Sequence, residues 1–171
     1  MDATACGGTL FGCTIGSICK VGLKTHHNKY VVAEKNGKAN ANRDWMRSWE
    51  IFSVTFIGAN KVHFMGHHGK YLVAERDGTV NANRPWARSW ETWTVEDKGN
   101  GFAFKSYHGK YLVAESNGEL NANRNWKLEW ETFRIVHPDG GNIWSSLSVI
   151  YIFFLFLNAI SAAAMLWQQL P

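Results

Sequence analysis

Gly69-Lys70-Tyr71-Leu72-Val73-Ala74-Glu75, followed by Gly78, Asn81-Ala82-Asn83-Arg84, Trp86 and Trp90-Glu91, decides the fold, because it is written three times. Tyr30, Tyr71 and Tyr111 lead the copies, at spacings of 41 and 40 residues. Glu34, Glu75 and Glu115 follow in register, as do Arg43, Arg84 and Arg124. So do Trp45, Trp86 and Trp126; Trp49, Trp90 and Trp130; and Glu50, Glu91 and Glu131. A close repeat in only three copies describes one small unit used three times to build one closed object. An open solenoid would need atypical capping repeats at its ends, and these copies are nearly alike.

Each copy reads as four strands. Residues 21–25, 62–65 and 102–105 alternate apolar with other side chains, as half-buried strands do. The Tyr-Val/Leu-Val-Ala-Glu runs are rich in strand formers. Asn36-Gly37, Asp77-Gly78 and Asn117-Gly118 are strong hairpin signals, since both central residues tolerate positive φ. The Asn-Ala-Asn-Arg run makes a third strand, and residues 52–54, 93–95 and 133–135 a fourth. Twelve short strands in three units of about 40 residues predict an all-β chain, a single β-trefoil whose barrel closure removes exposed sheet edges. The expected core triplets are Leu23, Phe64 and Phe104; Val31, Leu72 and Leu112; Ala33, Ala74 and Ala114; Phe52, Trp93 and Phe133; and Ala41, Ala82 and Ala122.

The expected domains are an irregular lead-in at 1–19, a trefoil at 20–139 (copies 20–60, 61–100 and 101–139) and an apolar helix at 144–168. The lead-in is broken by Gly7, Gly8, Gly12 and Gly16, unlike a signal peptide, with one added strand expected near residues 9–15. Its three cysteines, Cys6, Cys13 and Cys19, are an odd number, which argues against a disulfide framework, and the repeated body holds none, as suits a reducing compartment. After Asp139 no residue is charged. The 20 residues 148–167 match a bilayer core in length, with Trp144 and Trp167 near the two ends. That is a tail-anchor pattern, which places the trefoil in the cytoplasm. A glycolipid-anchor signal and an unused extension are the alternatives.

His68-Gly69-Lys70-Tyr71-Leu72-Val73-Ala74-Glu75, Asn81-Ala82-Asn83-Arg84 and Trp49-Glu50-Ile51-Phe52, with their counterparts, resemble the fascin-like trefoil repeat over residues 20–139. The resemblance implies a trefoil, and it implies filamentous actin as partner, since fascin-like domains occur in actin cross-linkers. Similar repeats occur in modules attached to glycoside hydrolases, which makes carbohydrate the alternative. One trefoil stands here where fascin has four, so cross-linking requires an oligomer.

The residues themselves argue against an enzyme. Acid, base and nucleophile need different environments, yet the prominent polar residues here are triplicated. One structural role played three times is the simpler expectation for the Glu34, Asn42 and Arg43 sets. No cofactor, metal-ligand spacing or nucleic-acid signature is present. His26, His27, His67, His68 and His108 fall in equivalent turns, read as solvated and titrating near neutral pH. Charge breaks the symmetry: seven Lys/Arg against three acids in the first copy, six against five in the second, five against five in the third. Lys24, Lys29, Lys35, Lys38, Arg43 and Arg47 are therefore the candidate actin contacts, a cationic face for an acidic partner. Trp45, Trp86 and Trp126 are the candidate carbohydrate contacts, offering stacking faces for sugar rings. The plainer expectation is that these three fold back over the barrel end. Trp49, Trp90 and Trp130 are expected to pack.

Overall fold

The structure is a computed structural model and describes residues 9–14, 17–58 and 60–138. The 144–168 segment, with its anchor reading, lies outside the described residues. Among those described, no helix is long and apolar enough to cross a membrane.

The twelve expected strands are present, preceded by a short hairpin. That hairpin is β1 (Thr9–Leu10) and β2 (Cys13–Thr14). The first copy follows with β3 (Ile18–Lys24), β4 (Tyr30–Ala33), β5 (Ala39–Arg43) and β6 (Ile51–Phe56). The second has β7 (Lys61–Met65), β8 (Tyr71–Ala74), β9 (Val80–Arg84) and β10 (Trp93–Asp97). The third has β11 (Phe102–Lys105), β12 (Tyr111–Ala114), β13 (Leu120–Arg124) and β14 (Arg134–Val136).

Six of these form a ring. Strand β3 pairs with β6, β6 with β7, β7 with β10, and β10 with β11, all antiparallel. Phe102 and Phe133 exchange two backbone hydrogen bonds of 2.8 Å, carrying the ladder from β11 toward β14. Strand β14 then pairs with β3, opposing Ile135 to Leu23. The remaining strands are three hairpins, β4–β5, β8–β9 and β12–β13, one per copy.

The hairpins lock to one another in a cycle. Ala82 N–H donates to the Gly37 carbonyl at 2.8 Å, Ala122 N–H to Gly78 at 2.7 Å, and Ala41 N–H to Gly118 at 2.8 Å. Each copy thus satisfies a backbone donor of the next. The glycines have two reasons to be glycine: φ is +86°, +91° and +87°, and an added Cβ would lie 2.9–3.1 Å from the Cβ of Asn83, Asn123 or Asn42 in the neighbouring copy. Their turns use that tolerance at one position. Only the glycine takes positive φ, while Asn36, Asp77 and Asn117 accept a hydrogen bond from the backbone N–H two residues on. With Gly37 N–H donating to the Glu34 carbonyl and Glu34 N–H to Lys38, this is a type I turn closed by a left-handed glycine, the next most common hairpin solution.

Every expected core triplet is buried, none more than 3 % exposed. Burying a Phe or Leu contributes about 1.5–3 kcal/mol, so these sets dominate the stability of the barrel. The lead-in departs from expectation. Two strands form where one was expected, and Phe11, at positive φ in their turn, enters the barrel. Its ring lies 5.0 Å from Phe102, 6.0 Å from Phe56 and 6.1 Å from Phe104, and it is 3 % exposed. The hairpin also brings Cys13 to Cys19, which are joined as a disulfide with Cα atoms 6.0 Å apart. An odd cysteine count does not forbid this, because one pair needs only local proximity.

The hairpin cycle is tested by two glycine substitutions. Gly109 has φ +77° but nothing within 4 Å of an added Cβ. Gly109→Ala should therefore cost only the backbone term of about 1–3 kcal/mol, and Gly37→Ala measurably more, in urea unfolding midpoints. Equal losses would show that the inter-copy approach carries no energy.

Candidate functional site

The triplicated charges build the same clamp in each copy. Arg43 donates to Glu34 at 2.5 Å and its Nε lies 3.6 Å from Glu50. Arg84 reaches Glu75 at 2.7 Å and Glu91 at 3.7 Å; Arg124 reaches Glu115 at 2.7 Å and Glu131 at 3.8 Å. Glu50, Glu91 and Glu131 are buried, and each accepts a second bond, from the backbone N–H of Arg47, Arg88 or Leu128 at 2.7–2.8 Å. In the first two copies that bond spans a 3-10 turn, Ser48–Glu50 or Ser89–Glu91. A carboxylate held this way fixes the loop between the third and fourth strands of its copy, which is the loop that carries the tryptophans.

Those loop tryptophans do not fold back. Trp45 is 73 % exposed, Trp86 65 % and Trp126 56 %. The clamp at the loop base leaves the ring no route to the barrel, whose interior is already filled by the Phe and Leu triplets. Trp49, Trp90 and Trp130 stand beside them, more than a third exposed, and pack edge-on against a histidine of another copy. The pairs are Trp49 with His68, Trp90 with His108 and Trp130 with His27, with ring centroids 4.8–4.9 Å apart. These histidines are therefore not freely solvated turn residues. Their Nε2 atoms are buried without a hydrogen-bond partner among the described residues.

Two clefts result. Arg84, Trp86, Arg88, Trp90 and Tyr107 line one of about 420 Å³. Arg124, Trp126, Leu128, Glu129 and Trp130 line another of about 500 Å³. The first copy presents the corresponding Arg43, Trp45, Arg47 and Trp49. In the third copy Lys127 is tethered to Glu96, whose carboxyl it holds below the ordinary range, with the Tyr111 hydroxyl adding a further hydrogen bond. The same contact raises the Lys127 ammonium. Lys98 Nζ donates to the carbonyls of Lys127 and Leu128, at 2.7 and 3.1 Å.

The basic set of the first copy is divided. Arg43 sits in its clamp, Lys29 pairs with Asp44, and Lys24 lies 5.2 Å from the Tyr30 ring centroid. Lys35 and Lys38 are exposed on the β4–β5 connection, and Arg47 is exposed in the Trp45 loop. In the second and third copies the arginine and the two tryptophans do line one cleft. Sequence spacing places them in one loop but carries no sign of which side the rings take.

Among known protein families, the Fascin domain matches residues 26–135. No curated protein matches.

The clamp makes a stability prediction. Glu91→Ala removes the acceptor of a charge-assisted bond and leaves the Arg88 N–H unpaired, and should lower unfolding free energy by about 1.5–3 kcal/mol. Glu91→Gln keeps an acceptor and should lose clearly less, both read from denaturant unfolding.

Proposed function

The chain belongs to the Fascin-domain family, and from that premise we propose that its three copies form a single β-trefoil that binds carbohydrate at three related sites and catalyses nothing. The six-strand ring capped by three interlocked hairpins supports the trefoil reading. The observation that carries the binding reading is the exposure of Trp45, Trp86 and Trp126, the last two of which line clefts with a second, partly exposed tryptophan and an arginine. A sugar ring has an apolar face of C–H groups and a rim of hydroxyls. An exposed indole offers stacking area at low conformational cost, and a neighbouring guanidinium offers donors for the rim. Each site alone is shallow and solvent-open, which suits weak single-site binding strengthened by engaging several residues of one polymer at once.

The second reading is a filamentous-actin module, which the family likeness favours. Its own observation is the exposure of Lys35, Lys38 and Arg47 in the copy that carries the charge excess. Attachment to the cytoskeleton, and to a membrane through 144–168, belongs to this reading; bundling of filaments would need a second copy.

The two separate in one pair of measurements on the full chain. On a glycan array, Trp86→Ala should weaken binding several-fold and the triple Trp45→Ala, Trp86→Ala, Trp126→Ala variant should abolish it, with little response to salt. Each single substitution should change stability by less than about 0.5 kcal/mol, since the rings are exposed. Cosedimentation with filamentous actin that is lost on reversing Lys35 and Lys38 and weakened by salt, with no glycan retained, would replace the carbohydrate reading by the actin one.

A further inference from the structure

We propose that Cys13, Cys19 and His137 form a zinc site in the reduced protein, which staples the Phe11 hairpin to the end of the last barrel strand. One ligand atom from each of the three lies within 4.8 Å of the others. A tetrahedral Zn²⁺ with thiolate bonds near 2.3 Å and an imidazole bond near 2.0 Å holds its ligand atoms about 3.5–3.8 Å apart. The two sulfurs, bonded to each other in this structure, reach that spacing once reduction lets them part, with His137 already beside them. Two thiolates and an imidazole are the donor set that zinc favours over the hard cations.

The surroundings fit a ligating histidine. His137 Nε2 lies 2.9 Å from the Phe11 carbonyl, an acceptor. A proton on Nε2 donated to that carbonyl fixes the tautomer and leaves the Nδ1 lone pair free, the second-layer arrangement typical of metal-bound histidine. Cys19 is buried, while Cys13 and His137 are half-buried, so protein closes one side and the other admits water as a fourth ligand. The three ligands come from three separate pieces: β2, β3 and the residue after β14. Holding them together fixes both the hairpin that carries Phe11 and the strand pair that closes the ring.

The cysteines are joined as a disulfide in the structure, so the metal form is the reduced form. A thiol or phosphine reductant supplies two electrons, and two protons are taken up as the disulfide becomes two thiols. Binding Zn²⁺ then releases both protons to water as the thiolates form. The disulfide and the metal are two versions of one staple, selected by the redox poise around the protein.

Cobalt(II) is the probe. The full chain, reduced with a phosphine and freed of metal, should bind one equivalent of Co²⁺ with thiolate-to-cobalt charge-transfer absorption, displaced by Zn²⁺. Cys13→Ser should remove most of that absorption, His137→Ala should weaken affinity at least tenfold, and Cys6→Ser should change neither. Zn²⁺ should raise Tm of the reduced chain and leave the oxidised chain unmoved. The proposal is overturned if reduced protein shows no charge-transfer absorption, or if Cys6→Ser abolishes it while His137→Ala leaves affinity intact. Because the metal titration reads binding directly, a variant that fails to fold is recognised by its far-ultraviolet dichroism, and Zn²⁺ protection of wild-type Cys13 and Cys19 from alkylation then decides the matter.

Discussion

Three backbone hydrogen bonds, from Ala41, Ala82 and Ala122 to the carbonyls of Gly118, Gly37 and Gly78, hold the copies in a cycle. Hairpins standing free would leave strand groups unpaired and their inner faces wet. A cycle of three removes both defects, and no copy is terminal. The need for close approach at each glycine explains why Asn-Gly or Asp-Gly and Asn-Ala-Asn recur together, since each glycine rests on the asparagine of a neighbouring copy. The apolar triplets then fill the barrel that the cycle caps.

Packing energy and exposed aromatic surface are divided between parts of the same repeat. Barrel strands and hairpins carry the energy. The loop before the fourth strand carries little apolar burial of its own and is held by the Glu–Arg–Glu clamp at its base. Fixing a loop by polar bonds frees Trp45, Trp86 and Trp126 from packing duty. It also explains why a buried glutamate recurs: Glu50, Glu91 and Glu131 each meet an arginine and a backbone N–H, a structural pairing made three times.

Much of this was legible in the chain, for physical reasons that differ by region. The core triplets follow from alternation, and alternation is fixed by the geometry of a strand. Asn36-Gly37 marked its turn correctly but not its type, since a type I turn with a left-handed glycine tolerates the same two residues. The outward turn of Trp45, Trp86 and Trp126 could not be read, because nothing local tells an exposed indole from a packed one. Phe11 was hidden for the opposite reason: it occurs once, among glycines, where neither period nor repeat calls attention to it. The meeting of Cys13 and Cys19 with His137 depends on β14 pairing with β3, a closure between distant parts of the chain that no short-range spacing encodes.

That closure has a bearing on how the molecule is made. Strand β3 leaves the ribosome early and β14 last of all the barrel strands, yet they are neighbours in the ring. During synthesis the β3 edge that β14 will cover stays open until residues 134–136 have been made. The nascent chain is thus exposed to wrong pairing with other chains while the second and third copies are being made, and long-range strand pairing is intrinsically slow once it begins. Cys13 and Cys19 lie only six residues apart, so a link between them, unlike the closure of the ring, needs no later sequence.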